Sequence, residues 1–272
     1  MTAVDPTAGE IGPDRGVAHP FAMGELVLLI DNKKRRYLVT LTEGGKFESH
    51  TGVLPHDAIV GRAEGSEVST PRAQRFRAFR PTLSDYVLSM PRGAQVIYPK
   101  DLGPILMLAD IGPGMRVLES GVGSGALSMS MLRCGARITG YELRPDFAAR
   151  AMKNVTTFLG AEVTDRYTIE LRDCYDGIDE RDLDRVVLDL PEPWQVVPHA
   201  RHALRPGGIL VSYSPSILQV TQTVDALHAA GFDELSTTEV LNRTWHIDGA
   251  AVRPDHRMVA HTGFLTRARL LA

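Results

Sequence analysis

Most of this chain is predicted to fold as an α/β domain around a parallel sheet, preceded by a small β domain, and three observations carry that expectation. From Pro113 onward, strand-like and helix-like stretches alternate, the pattern of a parallel sheet with helices on both faces. Within that part, the run Arg116-Val-Leu-Glu-Ser-Gly-Val-Gly-Ser-Gly125 leads an apolar strand through three glycines towards a helix. Before it, between Gly24 and Thr82, short apolar runs recur without a helix of ordinary length. The 272 residues, 43% of them hydrophobic, suffice for one large core and a second near the lower size limit for independence.

In order along the chain, residues 1–20 carry Pro6, Pro13 and Pro20 with no hydrophobic periodicity and read as a flexible leader. Residues 21–85 form the expected β domain, a small barrel or sandwich. Strands at 25–30 and 37–41 flank the turn Asp31-Asn-Lys-Lys34, and shorter strands follow around Phe47, Val53, Val68 and Phe76. The α/β domain spans 86–272. A connecting helix over 82–90 leads to an extended stretch, 91–99. Asp101 is expected to cap a helix running to about Ala109, with Pro104 tolerated in the first turn. Pro113-Gly114 then turns the chain into the glycine-bearing strand, and a second strand covers 138–141. The helix at 144–159 carries Phe147, Ala151, Val155 and Phe158 on one face. Strands follow at 167–171, 185–190 and 209–213, then a helix marked by Ile217, Val220, Val224 and Leu227. Two last strands are expected around Val240 and 262–265. There is no internal repeat.

The glycine turn is the strongest functional signal. Gly121, Gly123 and Gly125 let the backbone itself lie against a ligand, and Glu142 ends the next strand at the spacing from which a carboxylate bonds a ribose diol. A nucleoside cofactor is therefore expected. A dinucleotide site separates its second and third glycines by three residues so that a helix N-terminus faces the pyrophosphate; here glycines fall at every second position. Glu119, expected to stand in the turn, would repel a phosphate but suits the positive amino-acid end of S-adenosylmethionine. The pattern E-x-G-x-G-x-G thus resembles the first motif of the Rossmann-like methyltransferases, with NAD as the alternative.

Ligands of open parallel sheets collect beyond the strands' carboxyl ends, and four strands end near an acid: Glu119, Glu142, Asp173 and Asp189. Any one alone reads as a cap or a solvated loop residue, whereas four on one edge mark a polar cleft. Asp189 stands out because Leu190-Pro-Glu-Pro-Trp194 follows at once, and two prolines stiffen the loop that holds the acid and the aromatic. The plain alternative packs Trp194 in the core.

Charge and composition narrow the remaining classes. A net charge of −3 leaves two local basic clusters, Lys33 to Arg36 and Arg72, Arg75, Arg77 and Arg80, which suit either nucleic acid or a solvated face. Cys134 and Cys174 are too few for a disulfide framework and are not spaced as a metal or redox pair, so reduced cytoplasm is the expected setting. No apolar run approaches the roughly 18 residues of a membrane span, and no signal peptide pattern opens the chain. His199 and His202 lack a completing ligand, so no metal is expected.

Taken together, the glycine motif, Glu142 with Arg144-Pro145, the segment Leu188 to Trp194, Gln95-Val-Ile-Tyr98 followed by Lys100-Asp101, and His261-Thr-Gly-Phe264 resemble the bacterial tRNA adenine-58 N1-methyltransferases, the actinobacterial branch in particular. The resemblance covers nearly the whole chain after the leader. It implies a Rossmann-like class I methyltransferase domain with a small β-barrel-like N-terminal domain, acting with S-adenosylmethionine on tRNA as a cytoplasmic homotetramer. Carried over by position, it implies that Ser124, Gly125, Ala126 and Leu127 line the cofactor, beside the Glu119, Gly121 and Gly123 read from the motif itself, and that Glu142 binds its ribose. Asp173 would lie near the adenine, and Gln95 to Tyr98 would pass over the site. Asp189 would sit between cofactor and target base as the catalytic residue. Where the family often has histidine, this chain has Phe147, whose ring could pack on the adenine. A methyltransferase for another RNA site, a protein or a small molecule, or a non-catalytic tRNA-binding subunit, are the alternatives.

Overall fold

The structure is a computed structural model and describes residues 19–50, 52–93 and 95–272. Most of the expected leader lies outside the described residues. The chain divides between Asp85 and Tyr86 into two compact units.

In the first unit, β1 (Leu26–Asp31) pairs antiparallel with β2 (Arg36–Thr40). The hairpin β3 (Lys46–Ser49) and β4 (Gly52–Pro55) follows, then β5 (Glu67–Ser69) and β6 (Arg75–Phe79). The larger sheet has the order β2-β1-β6-β5. The turn after β1 forms because the Asp31 carboxylate accepts from the backbone N–H groups of Lys33 (2.8 Å) and Arg35 (2.9 Å), while Lys34 takes a left-handed conformation. Both sheets contribute to one core around Val27, Leu29, Leu54, Val68 and Phe76.

The second unit opens with α1 (Leu83–Ser89, from the end of the first unit) and α2 (Pro99–Leu108). The alternating part follows: β7 (Arg116–Ser120), α3 (Ala126–Arg133), β8 (Arg137–Glu142), α4 (Pro145–Leu159), β9 (Tyr167–Leu171), β10 (Leu183–Leu188), α5 (Val197–Ala203), β11 (Leu204–Ser214) and α6 (Ile217–Ala229). It ends with β12 (Phe232–Glu239), the hairpin β13 (Trp245–Asp248) and β14 (Ala251–Pro254), and β15 (Phe264–Leu270). The sheet order is β12-β15-β11-β10-β7-β8-β9. Its core includes Leu118, Val186, Leu188, Leu210 and Ala268.

Three expectations are corrected. The sheet is mixed rather than parallel, because β15 runs antiparallel between β11 and β12; no helix separates the last strands, and without a crossover helix the chain returns antiparallel. The strand expected around Val240 ends just before it, as β12, and the last strand starts at Phe264, with the unexpected β13–β14 hairpin between them. The edge strand β12 reads FDELSTTE and is mostly exposed, so it lacks the apolar alternation by which strands are recognised. Finally, Asp101 does not cap α2. The helix begins at Pro99, leaving Asp101 inside the first turn, fully buried, and Pro104 in the helix interior.

Candidate active site

At the sheet's carboxyl edge the three glycines serve three different needs. All have positive φ, at 85°, 57° and 83° for Gly121, Gly123 and Gly125. A Cβ on Gly121 would stand 2.0 Å from the Asp189 carbonyl oxygen, so this glycine lets the ends of β7 and β10 close on each other. A Cβ on Gly125 would meet Val155 and Ala151 at 3.1–3.3 Å, which makes that glycine a condition for packing α4. At Gly123 the only neighbour is the Gly121 carbonyl at 3.8 Å, so here the backbone faces open space. Gly121 and Gly123 both line the cleft at this edge.

Glu142 fixes the turn from the next strand. Its Oε2 accepts from the Gly123 N–H and its Oε1 from the Arg144 N–H, each at 3.0 Å. Lone pairs remain on both oxygens for an outside hydroxyl pair. Glu119 lies on β7 itself rather than in the turn, fully buried; its Oε2 accepts from Ser128 Oγ at 2.6 Å, and Tyr167 donates to Ser128 at 2.9 Å. Burial pushes the Glu119 carboxyl up to about 8, and the nearby Asp189 and Glu142 carboxyls add to the rise that the Ser128 hydrogen bond opposes. Its Oε1 is buried without a hydrogen-bond partner among the described residues. A buried oxygen left unpaired is costly and invites a donor from a ligand.

Asp189 follows β10, with its backbone N–H bonded to the Ser120 carbonyl at 2.9 Å. The residue is half-buried, and desolvation pushes its carboxyl up to about 7. Among the described residues no hydrogen bond reaches that carboxylate. Gln95, Val96, Ile97, Gly121, Gly123 and Ser124 share one cleft with Asp189, Ala126 and Leu127. A larger cavity opens at the opposite edge of the sheet, between Arg116, Arg137 and Arg166; it lies away from the strand ends where an α/β sheet does its chemistry.

The remaining candidates fall around this cleft. Asp173 caps a short 3-10 turn, its Oδ1 accepting from the Tyr175 N–H at 2.9 Å, and does not line the cleft. Trp194 is half-buried in another short turn. The Phe147 ring is buried, with the Arg144 guanidinium 3.8 Å from its centroid and that of Arg150 at 5.3 Å, so the stacking partners in this structure are arginines. Among the described residues no cluster of His, Cys, Asp and Glu suits a metal ion, and no helix is long and apolar enough to cross a membrane.

Comparison with known proteins gives this geometry a lineage. Residues 77–252 match the family described as the tRNA methyltransferase complex GCD14 subunit, and residues 20–68 match the TrmI-like N-terminal family. The chain belongs to the tRNA methyltransferase family of GCD14 and TrmI. It is 39% identical to the tRNA (adenine(58)-N(1))-methyltransferase TrmI of Thermus thermophilus over 89% of this chain and 96% of that one. It is 36% identical to the tRNA (adenine(57)-N(1)/adenine(58)-N(1))-methyltransferase TrmI of Methanocaldococcus jannaschii, over 89% of this chain and 94% of that one. Among solved structures, a SAM-dependent O-methyltransferase of Thermotoga maritima superposes with a TM-score of 0.88 at 31% identity, covering 93% of this chain and 95% of its own. The tRNA (m1A58) methyltransferase TrmI of Aquifex aeolicus follows with a TM-score of 0.82 at 27% identity, covering 93% of this chain and all of its own.

Within this family member, sequence reasoning missed two connections. Asn154 on α4 is buried and its Nδ2 donates to the Pro91 and Ser124 carbonyls, both at 3.0 Å, tying the segment before Gln95 to the glycine turn. Tyr213, one residue before the end of β11, donates to the Thr262 carbonyl at 2.6 Å and has its phenol pushed up to about 12, by burial first, with the carboxylates of Asp101 and Asp189 contributing. A polar residue among the apolar positions of α4 was the signal for Asn154; Tyr213 carried none.

Proposed function

We propose that the protein transfers the methyl group of S-adenosylmethionine to N1 of adenine 58 in the T-loop of tRNA. The observation that carries this reading is the junction of Gly121 with Asp189, where a glycine-lined cleft that suits a nucleoside meets an unpaired carboxylate. The buried, unpartnered Oε1 of Glu119 and the open side of Gly123 fit the cofactor. Glu119 would meet its positive amino-acid end and Glu142 its ribose, with Gln95, Ser124, Gly125, Ala126 and Leu127 around it. Asp173 is the candidate at the adenine end. When bound, the cofactor supplies an electrophilic methyl group on a sulfonium.

The neutral adenine N1 needs no base before attack, because its lone pair is free. As the new N–C bond forms, the ring becomes cationic. An Asp189 carboxylate accepting a hydrogen bond from the N6 amino group stabilises that charge, orients the ring for in-line displacement, and favours loss of a proton from N6. The target base, stacked inside folded tRNA, must turn outward to reach the cleft. Holding tRNA during that step is the role we assign to the N-terminal β unit, to Arg72, Arg75 and Arg77, and to neighbouring subunits of a cytoplasmic homotetramer.

Nucleoside mass spectrometry of tRNA incubated with protein and S-adenosylmethionine tests this reading, with an adenine-58 substitution, a protein pool and a metabolite pool as parallel acceptors. Formation of 1-methyladenosine that disappears with the substitution supports it. Methyl transfer to the other pools, or none, overturns it. Light scattering in solution tests the tetramer.

A further inference from the structure

Two buried hydroxyl groups that the proposed chemistry leaves unused, those of Ser128 and Tyr167, form a chain that ends on Glu119. Tyr167, the first residue of β9, donates to Ser128 Oγ at 2.9 Å, and Ser128, in the first turn of α3, donates to Glu119 Oε2 at 2.6 Å. Glu119 and Ser128 have no exposed surface, and Tyr167 is buried. The phenol keeps its proton, because burial first and then the Glu119 carboxylate push it far up. Both hydroxyls therefore give their only hydrogens in the same direction, and a chain of donors of one polarity strengthens its last bond. The chain holds the carboxylate by one oxygen and leaves Oε1 buried without a partner among the described residues.

The surroundings of Glu119 supply no counter-charge. Among the described residues no lysine or arginine forms an ion pair with it, and the titratable groups that face it are all acids: Tyr167 from β9, Glu142 from the end of β8 and Asp189 from the loop after β10. A buried carboxylate without a cation is costly. Protonation does not remove the difficulty, since a proton on Oε1 would have no acceptor among the described residues. What completes the arrangement is a cationic hydrogen-bond donor from outside the chain. Glu119 stands behind two stretches that line the cleft, Gly121 to Ser124 beside it in sequence and Ala126-Leu127 beside Ser128. The methyl donor carries two positive groups. Its sulfonium must lie open to the acceptor and so belongs with the half-exposed Asp189, whereas a carboxylate with no exposed surface suits the α-ammonium.

We propose that Ser128 and Tyr167 are positioning residues for the methyl donor, holding Glu119 by Oε2 so that Oε1 accepts a hydrogen bond from the donor's α-ammonium. This rests on S-adenosylmethionine being the donor. The ammonium is the same in the donor, in the transition state and in the product S-adenosylhomocysteine, so the contact is uniform binding and lowers KM for the donor without raising kcat. The test is calorimetry of Ser128→Ala and Tyr167→Phe with S-adenosylmethionine, with S-adenosylhomocysteine, which lacks the sulfonium charge, and with 5′-methylthioadenosine, which lacks the amino-acid end. Ser128→Ala is expected to weaken the first two by about tenfold, the scale of one hydrogen bond to a charged group, and the third by less than about twofold. Tyr167→Phe, which keeps the ring, shows the same selectivity with a smaller loss. With tRNA as acceptor, KM for the donor rises by the same factor in each variant and kcat stays within about twofold. In Ser128→Ala the pH at which donor affinity rises moves up by about one unit, because the lost bond favoured the ionised carboxylate. Glu119→Gln, which keeps the volume, abolishes that rise. Thermal melting reads folding, and where Ser128→Ala does not fold, Tyr167→Phe and Glu119→Gln carry the test.

An equal loss for all three ligands overturns the proposal, as does unchanged donor affinity in the folded variants or a fall in kcat at constant KM. A loss confined to S-adenosylmethionine also overturns it, by putting Glu119 against the sulfonium. A wild-type protein that binds none of the three ligands removes the functional reading and this proposal with it. A wild type that binds the donor and methylates tRNA, beside variants of wild-type donor affinity, removes this proposal alone.

Discussion

Around the glycine turn, proposed as the donor half of the site, the hydrogen bonds join residues close in sequence: Glu119 and Ser128 are nine apart, and Gly123 and Glu142 nineteen. Between α2 and the segment that joins β12 to β15, Lys100 reaches Val240 across 140 residues and Asp101 reaches Thr262 across 161. The first region is one βαβ unit whose parts are fixed by a short stretch of chain, while the second exists only once the last strands have been inserted into the sheet. With the glycine turn read as the donor half and Asp189 as facing the acceptor, variants on the two sides are expected to separate donor affinity from acceptor handling.

The largest effect is expected for Asp189→Ala, which lies at the junction: turnover should fall by about 10²–10³-fold, the usual cost of losing a group that stabilises transition-state charge, with donor affinity much less changed. Near-normal turnover in a radiolabelled-methyl assay would break the comparison at its centre. Glu142→Ala belongs to the donor half alone. Calorimetry should register donor affinity lower by about 10–100-fold, as for a charged hydrogen-bond partner, and KM for tRNA should stay near the wild-type value.

A smaller, pH-dependent effect follows from the carboxyls held at about 8 in Glu119 and about 7 in Asp189. Both lie above the unfolded values of about 4, so protonation favours the native state: their contribution to stability is complete below about pH 4 and is lost as pH rises through about 7 to 8. Binding of a positively charged donor runs the other way, because it favours ionised Glu119. Donor affinity should rise a few-fold between pH 6 and 8 with release of a proton, by about one pKa unit's worth of coupling. Calorimetry in two buffers of different ionisation enthalpy reads the proton directly, and a flat affinity without release would remove Glu119 from the donor site.

The smallest effects concern the basic stretch of the first unit, where the structure separates arginines that the sequence had grouped. Arg80 is engaged by Glu25 at 2.9 Å and Glu64 at 3.3 Å and is therefore part of the fold's own packing. Arg77 is exposed on β6, and its side chain makes no hydrogen bond among the described residues. Arg77→Ala should lower the salt slope of tRNA binding by about one, whereas Arg80→Ala should leave the slope and lower the melting temperature slightly. Equal slopes for the two variants would remove the distinction.

Much of the fold was legible because its signals are local. Alternating apolar runs gave β7 to β11 with α3, α4 and α6, though not α5, and Pro145 with the face Phe147, Ala151 and Val155 gave α4 nearly to the residue. Elements failed where the signal is tertiary. β12 is an edge strand with polar side chains on both faces, and α2 starts earlier than expected because the acid that resembled a cap is spent on a buried lysine and a threonine far along the chain. In the site, the residue types and their order could be read, but Glu119 was assigned to a turn and to a charge that its burial on β7 opposes.

By itself, then, the sequence determined the motif proposed for the donor: glycines at every second position, an acid just before them and another ending the next strand are short-range facts of backbone geometry and spacing. Only the tertiary structure decided that Gly121 and Gly125 also accommodate the Asp189 backbone and α4, that β15 slots antiparallel beside β11, and that Asp101 holds Thr262. Those outcomes depend on which surfaces exclude one another and which charges lose their water, and neither is written in any local run of residues.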